Sequence, residues 1–272
     1  MTTSPARVKD ILTTGRFSIP YRIYENKGPQ FICVNGAQQS MAMWQSLVER
    51  FSHNYRIVLF DFPNQGKAKI LAGSSEVSLD EQIEILAAVM DKVSLNQDAT
   101  VCAASWGGVI AVAFAEQYPD RIKRLILASL GTKPNKKMVE TIKAGSSLNM
   151  KDRDHVAHTL IKSFGETLPQ RMKQNIIHQF RAMKEESLQS FYEHGLFVIS
   201  SKRLSDVVNL QAIKARTILL NGENDTIIDL DDVKFLASQI PNCELKIIKG
   251  VGHFLHMESE KVLDIYEDIV RS

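Results

Sequence analysis

Three residues of this chain have the types and chain order needed for nucleophilic acyl chemistry. They are Ser105 in "CAASWGGVIA" (102–111), Asp225 in "LLNGENDTIID" and His253 in "KGVGHFLHMESE". A serine hydroxyl is a poor nucleophile until a base takes its proton. Ser105 follows an apolar run and precedes a helix-like pattern. The small residues two before and two after it, Ala103 and Gly107, permit a sharp strand-to-helix turn. The helix N-terminus then favours a developing oxyanion. Of the seven histidines, His253 stands in a glycine-containing loop that can return over a sheet edge. His256 is its rival and reads as a surface or capping residue. His155, His158, His178 and His194 fall in a polar helical stretch and read as solvated or substrate-facing. Asp225 is expected to orient the imidazole. Asp229 reads as a helix cap, and the turn "LASLGTKP" offers no carboxylate in Asp225's place.

An oxyanion hole needs two backbone donors. The N–H of Trp106 is one. The loop "VNGAQQS" should supply the other, from Ala37 or else Gln38. Asn35, Gln38 and Trp44 are expected on the substrate side. A structural hydrogen-bonding role for Asn35 and simple packing for Trp44 stay open. Asp61 in "LFDFPNQGKA" reads as an anchor for the loop after it.

These residues need a scaffold. "FICVNG" (31–36), "RIVLFD" (56–61), "TVCAAS" (100–105), "KRLILAS" (123–129), "RTILLNG" (216–222) and "ELKIIKG" (244–250) are short apolar runs ending at turn signals. Such runs indicate strands covered on both faces. Between them lie helical patterns at 78–93, 106–119 and 229–241, and another closes the chain. The first opens with Ser78 and Glu81 as a capping box. Strands alternating with helices predict an α/β protein with a mostly parallel, doubly wound sheet. The alternation stops over 133–210, which reads as a helical cap inserted into a core of 1–132 and 211–272. Its residues Leu160, Ile161, Phe164, Ile176, Ile177, Phe180, Phe191 and Phe197 suit either an acyl tunnel or ordinary core.

Composition narrows the class. The 272 residues are 44% hydrophobic with a net charge of +2, which calls for no nucleic acid partner. Cys33, Cys102 and Cys243 lack metal-site spacing and read as core residues of a reducing, cytoplasmic compartment. No secretory signal or membrane span is expected, and no metal or cofactor. The 133–210 segment holds 13 Lys/Arg against 8 Asp/Glu. That excess could attract an acidic carrier protein or the phosphates of CoA.

The order serine, aspartate, histidine is that of the α/β-hydrolases, which the chain resembles over nearly its whole length. More narrowly, "VNGA", "VLFDFP", "ASWGG", "ETLPQR" and "GHFLHMES" resemble the bacterial 3-hydroxyacyl acyltransferases. These include 3-(3-hydroxyalkanoyloxy)alkanoate synthases and 3-hydroxyacyl-acyl-carrier-protein:CoA transacylases. The resemblance implies an α/β-hydrolase fold, Ser105, Asp225 and His253 as the triad, and hydroxyacyl thioesters as substrates. This chain departs from the pattern at Ala103, where the family has serine. It departs again after the acid, with Thr226-Ile227-Ile228 in place of Glu-Tyr-Thr-Thr, and in the loop after Asp61. An esterase or thioesterase, or a ligand-binding receptor on the same fold, are the competing readings.

Overall fold

The computed structural model describes residues 7–95, 98–145 and 152–271. The chain opens on an antiparallel hairpin, β1 (Arg7–Thr14) and β2 (Phe17–Tyr24). Its signal was the period-two alternation of Phe17, Ile19, Tyr21 and Ile23, which face the core from β2. The exposed, polar β1 carries no such signal.

Parallel winding follows. β3 (Gln30–Val34) leads through α1 (Gln45–Phe51) to β4 (Arg56–Phe60), and a two-residue β5 (Lys69–Ile70) pairs with β2. Next come α2 (Leu79–Lys92), β6 (Thr100–Ala104), α3 (Trp106–Gln117) and β7 (Arg124–Ala128). Ser78 and Glu81 form the expected capping box at the start of α2. From β7 the chain runs through α4 (Lys136–Ala144), α5 (Arg153–Phe164), α6 (Gln170–Ala182), α7 (Glu185–Ser200) and α8 (Leu204–Val207). It then rejoins the sheet as β8 (Arg216–Gly222), followed by α9 (Leu230–Gln239), β9 (Cys243–Ile248) and α10 (Lys261–Arg271).

The sheet order is β1-β2-β4-β3-β6-β7-β8-β9, parallel from β4 onward. Apolar cores cover both faces, one built with α2, α3 and α9, the other with α1 and α10. Because α3 is apolar on all sides through Ala115, most of it lies inside the first core. β9 is an exception to the expected two-sided burial. It is an edge strand, and Ile247 is exposed.

The direction of winding reverses between β3 and β6, the two strands that share the middle of the sheet. In open α/β sheets the chain leaves such a switch point in opposite directions and opens a crevice at the strands' carboxyl ends. The loop after β3 carries Ala37, and the turn after β6 carries Ser105.

Candidate active site

Ser105 occupies a backbone conformation that L-residues rarely adopt, with φ 48° and ψ −119°. The turn is held from both sides. The Ser105 N–H donates to the Ala128 carbonyl at 2.8 Å, and the Gly108 N–H donates to the Ser105 carbonyl at 2.8 Å. Gly107 must lack a side chain here. A Cβ would sit 2.4 Å from the Asn35 carbonyl oxygen, where the end of β3 meets the elbow.

Asp225 and His253 come together through a second close approach. Gly222, the last residue of β8, lies against Val251 and Gly252, and a Cβ would come within 2.2 Å of both carbonyl oxygens. The Asn224 N–H donates to the Val251 carbonyl at 2.9 Å. His253 Nδ1 then lies 2.9 Å from Asp225 Oδ2, with both side chains buried. The other carboxylate oxygen, Oδ1, accepts the N–H groups of Ile227 and Ile228 at 2.8 and 3.0 Å. Burial alone would raise the Asp225 pKa. The facing His253 and the two amides reverse that and hold the carboxyl below its ordinary value.

Two residues that the sequence did not single out clamp the His253 backbone. Ser129 Oγ donates to the His253 carbonyl at 2.6 Å. Glu258 accepts the N–H of Gly252 at 2.6 Å and that of Phe254 at 2.9 Å, one on each side of His253. Ser129 follows Ala128, the residue that holds the Ser105 N–H, so the Ser105 turn and the His253 loop share one anchor at the end of β7. Among the described residues no hydrogen bond joins Ser105 directly to His253.

A cavity of about 270 Å³ opens beside Ser105. Trp106, Val109, Leu130, Met138, Ile227 and Phe197 give it an apolar wall, and Lys133 and Lys202 also line it. Of the eight apolar insertion residues named above, Phe197 alone lines this cavity. Phe180 packs with Leu160, Ile176, Ile177 and Phe191 in a small core of the insertion's own, and Phe164 packs on the main core. Helices need a buried face of their own before they can line anything.

Two residues expected on the substrate side lie behind the loop instead. Trp44 is wholly buried, and its Nε1–H donates to Asn35 Oδ1 at 2.8 Å. Asn35 is buried too, and its Nδ2 donates to the Phe60 carbonyl at 2.9 Å and to Asp61 Oδ1 at 3.3 Å. Asp61 also accepts the N–H groups of Met41 at 2.7 Å and Lys67 at 3.3 Å, thereby tying the loops after β3 and β4 together. These side chains have spent their hydrogen-bonding capacity on the scaffold. His256 is no surface or capping residue. It is buried, stacks on Trp44 with ring centroids 5.2 Å apart, and bonds through Nε2 to the Met43 carbonyl at 3.0 Å. Gln38, with φ 59°, turns its side chain to α7, where Nε2 lies 2.8 Å from His194 Nδ1.

The family model of the α/β hydrolase fold matches residues 29–174, more than half of the chain. The protein belongs to that family. Within it, the chain is 24% identical over 248 residues to an (R)-3-hydroxydecanoyl-ACP:CoA transacylase of Pseudomonas aeruginosa, covering 90% of this chain and 82% of that one. It is 23% identical over 245 residues to a pimeloyl-[acyl-carrier protein] methyl ester esterase of Nitrosospira multiformis, covering 84% and 88%. A thermophilic esterase from Thermogutta terrifontis has a similar fold, with a TM-score of 0.76 at 21% identity and 98% coverage of both chains. No helix of the described residues is long and apolar enough to cross a membrane.

Proposed function

We propose that the protein transfers acyl groups through an acyl-Ser105 intermediate, with 3-hydroxyacyl thioesters as donors. The observation that carries this reading is the 2.9 Å contact of His253 Nδ1 with Asp225, offered at the sheet edge where Ser105 turns into an apolar cavity. His253 Nε2 takes the Ser105 proton as Oγ attacks the thioester carbon. The N–H groups of Trp106 and Ala37 receive the oxyanion, each such donor contributing about 3 kcal/mol in the transition state. The C–S bond breaks, and the thiol leaves with the proton from His253. His253 then takes a proton from the acceptor, whose oxygen or sulfur attacks the ester carbon; the acyl–Oγ bond breaks and His253 returns the proton to Ser105. The acceptor decides between transferase and hydrolase, since the triad chemistry is the same for both.

The names of two relatives include an acyl-carrier protein; the transacylase supports a carrier-bound or CoA thioester as donor, while the other is named for cleaving a methyl ester. Lys133 and Lys202 are exposed at the cavity, and neither makes an ion pair with a described carboxylate. Such cations suit the phosphates of a pantetheine-type donor. Raising ionic strength from about 0.05 to 0.5 M should therefore raise KM for a CoA thioester several-fold. It should leave KM for a neutral p-nitrophenyl ester unchanged, and the K133Q/K202Q variant should have lost the salt effect.

The deciding experiment incubates the protein with 3-hydroxydecanoyl-CoA and a phosphopantetheinylated acyl-carrier protein and reads products by mass spectrometry. A transferred thioester or a dimeric hydroxyester supports the transferase. Free acid as the sole product assigns a thioesterase instead. Unchanged donor, with no acyl group carried on Ser105, overturns the enzymatic reading.

A further inference from the structure

We infer that His194 is a positioning residue that aligns the oxyanion loop. The inference rests on the reading above that Ala37 supplies one donor. Gln38, next in chain, holds φ 59° without being glycine, so something outside the loop must keep it there. Its side chain reaches across to the helical insertion, where Nε2 lies 2.8 Å from His194 Nδ1, a contact between residues 156 apart in sequence. The rest of the loop is tied within the core. The Gly36 N–H donates to Gln39 Oε1 at 2.8 Å, and Gln65 Nε2 donates to the Gly36 carbonyl at 3.1 Å. Gln38 is thus the loop's tie to α7.

The same face of α7 reaches the second donor. Residues three apart share a helix face, and Phe197, three on from His194, meets the Trp106 ring edge-on with centroids 5.3 Å apart. The two rings of α7 are themselves 6.2 Å apart. Trp106 is fixed from behind by its Nε1–H, which donates to Gln82 Oε1 at 2.9 Å. One turn of α7 therefore touches the residue beside Ala37 and the side chain of Trp106. Loss of solvent pulls the His194 pKa down to about 4. The neutral ring keeps a lone pair for the Gln38 amide at neutral pH. A seated α7 holds Gln38, the residue that follows the Gly36–Ala37 donor peptide, whereas a displaced α7 leaves that peptide to its ties to Gln39 and Gln65 alone.

The test compares wild type with H194A, Q38A, the double variant and H194N, whose amide can take up the Nδ1 position. Two rates are read, turnover of p-nitrophenyl octanoate and phosphonylation of Ser105 by a p-nitrophenyl alkylphosphonate, whose adduct places an oxygen in the hole. H194A and Q38A should each lower kcat and the phosphonylation rate about tenfold, since a misaligned donor keeps part of its effect. KM should stay within about twofold, the double variant should be no slower than either single one, and H194N should recover most of the rate. Should H194A not fold, Q38A carries the comparison alone. A change confined to KM, losses that multiply in the double variant, or no rescue by H194N would each overturn the positioning role. A wild type that never labels at Ser105 overturns the acyl-enzyme reading as well. A wild type that labels, with variants that label as fast, overturns the coupling alone.

Discussion

Replacing Ser105 by alanine is expected to lower kcat about 10⁶-fold and to leave thermal stability nearly unchanged. The size follows from the cooperative nature of a triad, in which loss of the nucleophile removes nearly all that its members achieve together. What remains is the catalysis due to binding and the oxyanion donors. Stability separates alanine from glycine. At φ 48° and ψ −119° any Cβ is strained, at a cost on the order of 1–3 kcal/mol. Alanine keeps that strain. Glycine relieves it and gives back roughly 0.5–1 kcal/mol in chain entropy, a net gain of about 1 kcal/mol. Ser105→Gly should therefore be as inactive as Ser105→Ala and melt about 2–4 °C higher. Equal melting temperatures for the two variants, measured by calorimetry, would limit the strain to the chain-entropy cost of glycine, roughly 0.5–1 kcal/mol.

Asp225→Asn is expected to lower kcat about 10⁴-fold with the fold intact. The argument is one of donors and acceptors. Asp225 Oδ1 already accepts the Ile227 and Ile228 amides, while Oδ2 faces His253 Nδ1. An asparagine keeps its carbonyl on the two amides, because an NH₂ there would meet two donors. Its NH₂ then faces His253 and donates to Nδ1. The ring must carry its proton on Nε2, the nitrogen required as base, and can no longer accept from Ser105. Turnover of a p-nitrophenyl ester at neutral pH, with circular dichroism as the control for folding, measures the loss. A variant within tenfold of wild type would remove Asp225 from the mechanism.

The legible parts of this molecule are those with a short sequence range. The strand-to-helix junction at Ser105 shows in ten consecutive residues, and the capping box of α2 in four. The parallel core strands show as apolar runs. The placement of Asp225 and His253 at one edge followed from where their strands end. Contacts across the chain were not legible. Ser129 holds a carbonyl 124 residues away, and Gln38 bonds to a helix 156 residues away. Neither partner has a local signature. Asn35 and Trp44 were misplaced for a related reason. A loop sequence gives the order of its side chains but not which of them turn inward, and both turned toward buried Asp61 and His256. The eight apolar insertion residues were ambiguous because a small core and a cavity wall call for the same residue types.

The insertion's private core also bears on how the chain assembles. β7 and β8 are neighbours in the sheet, yet residues 129–215 lie between them. Joining the ends of so long a flexible loop costs about 4 kcal/mol in chain entropy. The packing of Val156 and Ala157 against Phe180 and Leu188 draws α5, α6 and α7 together without help from the sheet. A helical unit that condenses early shortens the effective loop before β8 docks. Asp225 follows β8 and His253 follows β9, so their contact requires both strands to be in place in the sheet.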